Sequence, residues 1–278
     1  MKKLKTTFLL LALIMNCSGL QVFAQHKLRV ISYNILEGMK NDTTKGKQVF
    51  VNWVKSYAPD ILALQECNKF TQLSLEEMAA RYGHPYAILV KTTGYPVGIT
   101  SKYPIVDVQK ITDNMTHGFI VCKIKDLNVI VLHLNPHKYR KRREEIGEIL
   151  GTMAVAPVRE RWMIMGDFNS FSPLDKDNYQ DGDALKSLQE AAKKYSYHDN
   201  LVDGKSLDFQ VQQQILDFGL KDAGKIVEPG SIPKRRIDYI YVSKDLIKKV
   251  TTAHFIRDDF TAGYSDHKPV IMEFKHTN

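Results

Sequence analysis

Trp162-Met163-Ile164-Met165-Gly166-Asp167-Phe168-Asn169-Ser170 is the stretch on which the reading of this chain turns. Four apolar residues make a short buried strand over 162–166, bounded by turn residues. It delivers a carboxylate and an amide, two residues apart, to the point where the strand ends. Period-2 geometry puts Asp167 and Asn169 on one side if the strand continues that far. An acid beside a neutral amide can hold a hard metal ion or orient a water against a phosphate. Asp and Asn also open turns after strands for local hydrogen-bonding reasons, so this stretch alone leaves both readings open.

Five further apolar runs repeat the pattern. Tyr33-Asn34 follows Leu28-Arg29-Val30-Ile31, Gln65-Glu66 follows Ile61-Leu62-Ala63-Leu64, and His133-Leu134-Asn135 follows Val129-Ile130-Val131-Leu132. Asp238 opens the run to Val242, and Ser265-Asp266-His267 precedes Pro269-Val270-Ile271-Met272. Random surface decoration would scatter these polar residues. Their placement at strand ends implies one mouth where several strands converge.

Taken in order, Asn34, Gln65-Glu66, His133, Gly166-Asp167-Phe168-Asn169, Arg236-Ile237-Asp238-Tyr239 and Ser265-Asp266-His267 resemble the motif set of the endonuclease/exonuclease/phosphatase superfamily. That group includes pancreatic-type deoxyribonucleases, AP endonucleases, neutral sphingomyelinases and inositol-polyphosphate phosphatases. The resemblance runs from about residue 27 to residue 275. It implies a four-layer α/β sandwich, two packed mixed sheets flanked by helices, with the active site at one edge of the sheet pair. It also implies Mg²⁺ (or Mn²⁺), with Glu66 as primary ligand and Asn34 and Asp266 close to the same ion. Asp238 would pair with His267 and fix its ring. AP-endonuclease-type members generally carry tyrosine in the region of His133, whereas deoxyribonuclease-, sphingomyelinase- and phosphatase-like members carry histidine. Many relatives have Thr where this chain has Leu132.

The residue chemistry agrees with those roles. A carboxylate ending a buried strand is costly unless neutralised, which makes Glu66 the metal-ligand candidate. Asp167 would orient or deprotonate the attacking water, and Asn169 would steady it or a phosphoryl oxygen. His267 titrates near neutrality beside a carboxylate and suits general acid–base work. His133 would stabilise phosphoryl oxygens or protonate the leaving group. The basic run holding Arg140, Arg142 and Arg143 could form a phosphate-binding rim, or a solvated helix face paired with Glu144-Glu145. Lys234-Arg235-Arg236 has the same two readings. Neither cluster has the aromatic interleaving of a single-strand nucleic-acid platform.

The 278-residue chain can bury a substantial core. Lys2, Lys3 and Lys5, the apolar stretch Phe8 to Met15, and Val22-Phe23-Ala24 read as an export signal over residues 1–24. The apolar stretch is too short to span a bilayer comfortably. Ile14-Met15-Asn16-Cys17 offers a second option, a lipoprotein anchored through Cys17, although Asn16 stands where a small residue is expected. Removing residues 1–24 takes three lysines and no acid from a chain of net charge +8 and leaves +5. This mild basicity fits an anionic substrate. Of the remaining cysteines, Cys67 and Cys122, an exported protein could form a disulfide; two buried thiols is the preferred reading, since each lies in or beside an apolar run.

Periodicity predicts strands over 28–33, 61–66, 85–90, 97–101, 105–111, 117–124, 127–133, 237–243, 250–256 and 269–275. Helices are predicted over 47–57, 72–82, 138–154, 183–194 and 211–220. Residues 170–207 read as a loop-rich rim. The expectation is therefore one domain over 25–278, periplasmic or secreted and monomeric, with no obligate protein partner evident. It would hydrolyse a phosphodiester of nucleic acid or a phospholipid headgroup. A phosphomonoesterase acting on inositol or sugar phosphates is the alternative, and a non-catalytic binding protein on the same fold a further one. A lipid hydrolase would need an apolar docking loop, for which Phe168, Phe171 and Tyr179 are the nearest candidates.

Overall fold

The structure, a computed structural model, describes residues 26–276, so the expected export signal and Cys17 lie outside the described residues. In chain order the strands are β1 (His26–Asn34), β2 (Ile61–Gln65), β3 (Tyr86–Leu89), β4 (Gly98–Ser101), β5 (Ile105–Ile111), β6 (Phe119–Ile124), β7 (Leu127–His133), β8 (Trp162–Asp167), β9 (Leu201–Val202), β10 (Ser206–Leu207), β11 (Lys221–Asp222), β12 (Asp238–Val242), β13 (Val250–Phe255) and β14 (Val270–His276). They build two six-stranded sheets, ordered β13-β14-β1-β2-β4-β3 and β11-β12-β8-β7-β6-β5, and a small hairpin from β9 and β10. Each large sheet is mixed. β1 and β2 run parallel in one, β7 and β8 in the other, and their remaining neighbours are antiparallel.

Strand alternation sorts the core into layers. Val30, Ala63, Val129, Val131, Met163, Met165, Ile240 and Val242 share the core between the sheets. Their odd-step neighbours Ile31 and Leu62 pack outward on Phe50, Trp53, Leu75 and Met78 of the helices Gln48–Tyr57 and Gln72–Arg81. Ile130, Leu132, Ile164 and Tyr241 pack outward on Ile146, Ile149 and Ile215 of the helices Tyr139–Val155 and Gln210–Asp217. The central strands are covered on both faces, which is why they read as continuous apolar runs. At about 1.5–3 kcal/mol for each fully buried large apolar side chain, these three interfaces dominate the folding energy. The helix–sheet–sheet–helix order is the expected four-layer sandwich.

Several element boundaries differ from expectation for local reasons. The strand expected from 117 begins at Phe119, because Gly118 turns the chain at φ +83°. The helix expected to reach 220 stops at Asp217; Gly219 at φ +100° turns the chain into β11. Within the rim over 170–207 the helix expected over 183–194 forms at Asp183–Lys194, and a 3-10 turn at Pro173–Tyr179 and the β9–β10 hairpin add order that the sequence reading did not include. Phe168 is fully buried, edge-on to Tyr239 and Tyr241, and Tyr179 is buried too, so neither belongs to a docking loop. Cys67 and Cys122 are buried free thiols. No helix among the described residues is long and apolar enough to cross a membrane.

Candidate active site

The inward-facing series of the core strands ends in polar residues. In β1 it runs Val30, Ser32, Asn34; in β7, Val129, Val131, His133; in β8, Met163, Met165, Asp167. In β12 it begins with Asp238 and continues Ile240, Val242. β12 is antiparallel to β8, so its first residue lies beside the last residue of β8, and Asp238 pairs with Asp167 in register. His133 pairs with Asp167 from the other side. Both faces of the gap between the sheets therefore end in acid, amide and imidazole at one edge. The carboxylate at Asp167 is the last strand residue, one beyond the predicted end.

Asp167 is the hub. Its Oδ2 accepts from Asn34 Nδ2 at 3.1 Å and lies 3.5 Å from His133 Nε2 and 3.8 Å from His267 Nε2. Its Oδ1 accepts from the Asn169 amide at 2.8 Å. Asn34 Nδ2 also donates to Glu66 Oε1 at 3.1 Å, so one amide ties the two carboxylates of opposite sheets. Glu66 follows β2 in a left-handed conformation, φ +59°, which redirects its side chain; the Glu37 amide holds its Oε2 at 2.8 Å. His267 Nδ1 meets Asp238 Oδ2 at 2.8 Å, leaving Nε2 toward Asp167. Ser265 anchors that loop: its Oγ donates to the Asn34 carbonyl at 2.8 Å and accepts from the His267 amide at 3.1 Å.

Burial and charge set the protonation states. Burial, with the Asp238 carboxylate alongside, pushes the Asp167 carboxyl up to about 7 against the pull of His267. Burial works against a charged His267, but Asp238 and Asp167 outweigh it and raise the ring to about 10. Burial also holds His133 well below the ordinary histidine range, aided by His117 and His267. The site thus offers a carboxylate base, a charged imidazole and a neutral one within a few ångströms.

Other sequence expectations fall differently. Asn169 does not share a strand face with Asp167. It turns at φ +48°, and its Nδ2 donates to the Leu134 carbonyl at 3.1 Å, so it braces the loop. Asp266 is exposed at the rim, beside His267 and Arg235 in a shallow pocket. The four candidate phosphate arginines all have partners within the protein, and Arg142 and Arg236 are buried. Arg236 is buried and clamps Asp175 at 2.7 Å and Asp222 at 2.5 Å. Arg142 is buried and donates to the Asn135 carbonyl at 3.0 Å and Asn200 Oδ1 at 2.6 Å. Arg143 pairs with Asp208 at 2.6 Å, and Arg140 with Asp199 at 3.1 Å and Asp203 at 3.3 Å. Each guanidinium is spent on a local acid or carbonyl that lies 59 or more residues away for Arg140 and Arg143, partners invisible in a linear reading.

Sequence reasoning missed the supports. His117 stacks on His133 with ring centroids 4.3 Å apart, and Tyr95 sits edge-on to His117 at 5.6 Å. Gln212 donates to Ser170 Oγ at 2.7 Å and accepts from the Tyr241 hydroxyl at 2.7 Å, holding the loop after Asp167. Glu145 accepts from the Asn135 amide at 2.7 Å and the Thr116 amide at 2.7 Å, fixing the turn after His133 to the turn before β6. His117 stands just before the apolar run from Phe119, and Glu145, expected on a solvated face, is buried; Tyr95 and Gln212 lie at the end of no apolar run.

The residues fit a hard divalent ion. Among the described residues no lysine or arginine forms a salt bridge with Glu66 or Asp167, and burial and the Asp238 charge drive the Asp167 carboxyl toward protonation despite His267. Asp167, Asp238 and His267 are also grouped tightly enough to ligate, their donor atoms all within 4.8 Å. The short His267–Asp238 contact is an ordinary imidazole–carboxylate hydrogen bond. The Glu66 carboxylate oxygens better match the preference of Mg²⁺ or Mn²⁺ for oxygen; Asn34 turns its Nδ2 to the two carboxylates, and its Oδ1 accepts from the Leu36 amide at 3.1 Å.

A sandwich of two mixed sheets carrying this acid, amide and imidazole mouth defines a class of phosphoester hydrolases. The sequence pattern of the Endonuclease/Exonuclease/phosphatase family matches residues 31–267, and the chain belongs to that family. Solved structures with the same fold include an AP endonuclease from Archaeoglobus fulgidus, with TM-score 0.65 and 19% identity, covering 89% of this chain and 99% of that one. A 3′-5′ exonuclease (NExo) from Neisseria meningitidis has TM-score 0.62 and 20% identity, covering 90% of this chain and 100% of that one. A 3′ phosphatase NExo from Neisseria bound to a product DNA hairpin has TM-score 0.61 and 18% identity, with coverage of 90% and 100%. No curated protein matches the chain in sequence.

Proposed function

We propose that this protein is a Mg²⁺- or Mn²⁺-dependent phosphoesterase that hydrolyses a phosphodiester, in a nucleic acid or a phospholipid headgroup, by in-line attack of water. It would act after export, in the periplasm or outside the cell. The observation that carries the reading is Asp167 Oδ2, faced at once by Asn34, His133 and His267. Asp167 takes the proton of the attacking water; a carboxyl raised to about 7 is a usable base near neutrality. His267, kept charged by Asp238, donates toward a phosphoryl oxygen or the departing oxygen. His133 is neutral and adds a hydrogen bond without bringing a second positive charge. Asn34 holds Asp167 in place. Glu66 and Asn34, with Asp266 at the rim, would hold the ion, which supplies charge neutralisation on phosphoryl oxygens and acidifies bound water.

The test is product release from bis-p-nitrophenyl phosphate, p-nitrophenyl phosphate, plasmid DNA, RNA, inositol phosphates and sphingomyelin vesicles, with Mg²⁺, Mn²⁺ or EDTA. Diester cleavage that EDTA abolishes and Glu66→Gln reduces by 10²-fold or so is expected, with the variant's melting temperature little changed. Full metal-dependent activity in Glu66→Gln would sink the assignment. Release from the monoester alone would replace the diesterase reading with the phosphatase one.

A further inference from the structure

We propose that the rings of His137, Tyr195, Tyr197 and His198 form a stacking platform for the bases of a single-stranded nucleic acid whose scissile phosphate lies at Asp167. This rests on the phosphodiesterase reading above and narrows its substrate to a polynucleotide.

The rings gather from two distant stretches. His137 lies 4.9 Å from Tyr197 and 4.7 Å from His198, and Tyr195 lies 5.6 Å from Tyr197 and 5.4 Å from His198, centroid to centroid. Tyr195 is 37% exposed and Tyr197 51% exposed. Lys194 sits 5.0 Å over the Tyr195 ring, and Lys138 is exposed at the edge, with no salt-bridge partner among the described residues. Flat aromatic faces interleaved with cations are the chemistry that receives stacked bases on a phosphate backbone. The basic run after β7 lacks rings in its own sequence; the fold brings them from residues 195–198.

The platform is rigidly joined to the catalytic strand. The Asp199 amide donates to the His137 carbonyl at 2.7 Å, and the Tyr139 amide to the Asp199 carbonyl at 2.8 Å. Buried Arg142 pins both sides, reaching the Asn135 carbonyl and Asn200 Oδ1. His137 is four residues past His133, so the platform begins within ~14 Å of it. That is roughly four rises of ~3.4 Å along a stacked strand.

A purely structural role does not account for the cluster. Its two tyrosines are exposed, and His137 Nδ1 and His198 Nδ1 are buried without a hydrogen-bond partner, which opposes folding. Interfacial membrane binding buries a broad Trp, Phe or Leu face beside its cations, whereas this cluster offers only tyrosine and imidazole rings edged by lysine. The favoured occupant is therefore the polyanion.

The experiment measures binding of a fluorescein-labelled 12-nucleotide oligothymidylate to the purified protein by anisotropy in EDTA, beside bis-p-nitrophenyl phosphate turnover with Mg²⁺ or Mn²⁺. One base stacked on one ring accounts for roughly 5- to 150-fold in affinity when the ring is removed. A Tyr195→Ala/Tyr197→Ala pair is expected to weaken binding at least tenfold and to raise KM for the oligonucleotide with little change in kcat. The corresponding Phe pair should stay within about twofold of wild type. If the alanine pair does not fold, Tyr197→Ala alone is read by the same measures. Unchanged oligonucleotide affinity in the alanine variants overturns the platform, and so does a selective loss of binding to phosphatidylserine vesicles. Absence of bis-p-nitrophenyl phosphate turnover in wild type would overturn the phosphodiesterase reading instead, so the two failures are distinguishable.

Discussion

Replacing Asp238 with Asn should move the whole pH–rate profile toward acid. The wild-type site needs Asp167 ionised and His267 protonated; without metal these groups stand at about 7 and about 10, and a bound cation lowers the first, so activity should extend from below 7 to about 10. Asp238 supports both limits. It repels the Asp167 charge, and its Oδ2, 2.8 Å from His267 Nδ1, is the largest influence raising that ring against burial. Two unit charges at that distance interact by about 6 kcal/mol at an effective dielectric of ~20, an upper limit of about four pH units. With burial left unopposed by Asp238, the basic limb should fall by about 2 to 3 pH units, and the acidic limb should fall by less. At pH 8 the variant would hold a mostly neutral His267 and lose most of its turnover. Folding is linked in the same sense. The raised His267 pKa stabilises the fold fully below ~6.5 and ceases to as pH passes about 10. The raised Asp167 pKa makes the fold lose stability as pH climbs from ~3.9 to about 7. The assay is kcat/KM for bis-p-nitrophenyl phosphate from pH 5 to 11 at saturating metal, with melting curves at each pH. A basic limb that stays near 10 in Asp238→Asn would refute the assignment of that limb to His267.

Gly166→Ala should lower stability by about 3 kcal/mol, because an added Cβ would stand 2.0 Å from the Leu132 carbonyl oxygen; urea denaturation showing less than 1 kcal/mol would contradict the close packing of β7 on β8. Arg236→Ala leaves the buried Asp222 carboxylate without its cation, while Asp175 keeps Lys225 at 2.8 Å, and should cost about 3 kcal/mol, whereas a change in the salt dependence of substrate KM without loss of stability would return Arg236 to the phosphate rim. Burial pushes the Cys67 and Cys122 thiols up, Cys122 to about 12, so a thiol reagent should label neither in the native protein and both in denaturant; rapid native labelling at pH 8 would show that these strands open.

Most of the core strands could be read from the chain because each is an uninterrupted apolar run, and both sides of each run are covered by packing. β5 and β7 end where periodicity ends them. The short elements were harder. β11 is only Lys221–Asp222 and exists because it pairs with Val242 and Tyr241 across the sheet. Asp167, His133, Asp238, His267, Asn34 and Glu66 were recognisable because a polar residue at the end of an apolar run is a local pattern. Asn169 shares a face with Asp167 only if the strand runs on; the Phe168 amide still meets the Ile237 carbonyl at 2.8 Å, but Asn169 then turns at φ +48°.

By itself, then, the sequence determined where the core strands lie and which of their residues share a face, because alternation along a strand is a property of the local backbone. It also determined that acid, amide and imidazole groups stand at strand ends. Tertiary structure decided that these ends share one edge, through the antiparallel placement of β12 and β14 beside the parallel strands. It decided the pKa of Asp167 and His267, which depend on burial and on charges 29 or more residues away. It made internal struts of Arg142 and Arg236, and it assembled rings from residues 137 and 195–198. Hydrophobic alternation acts over a few bonds and is written into adjacent residues, whereas Coulomb interactions, hydrogen bonds and stacking act through space and exist only once the chain has folded.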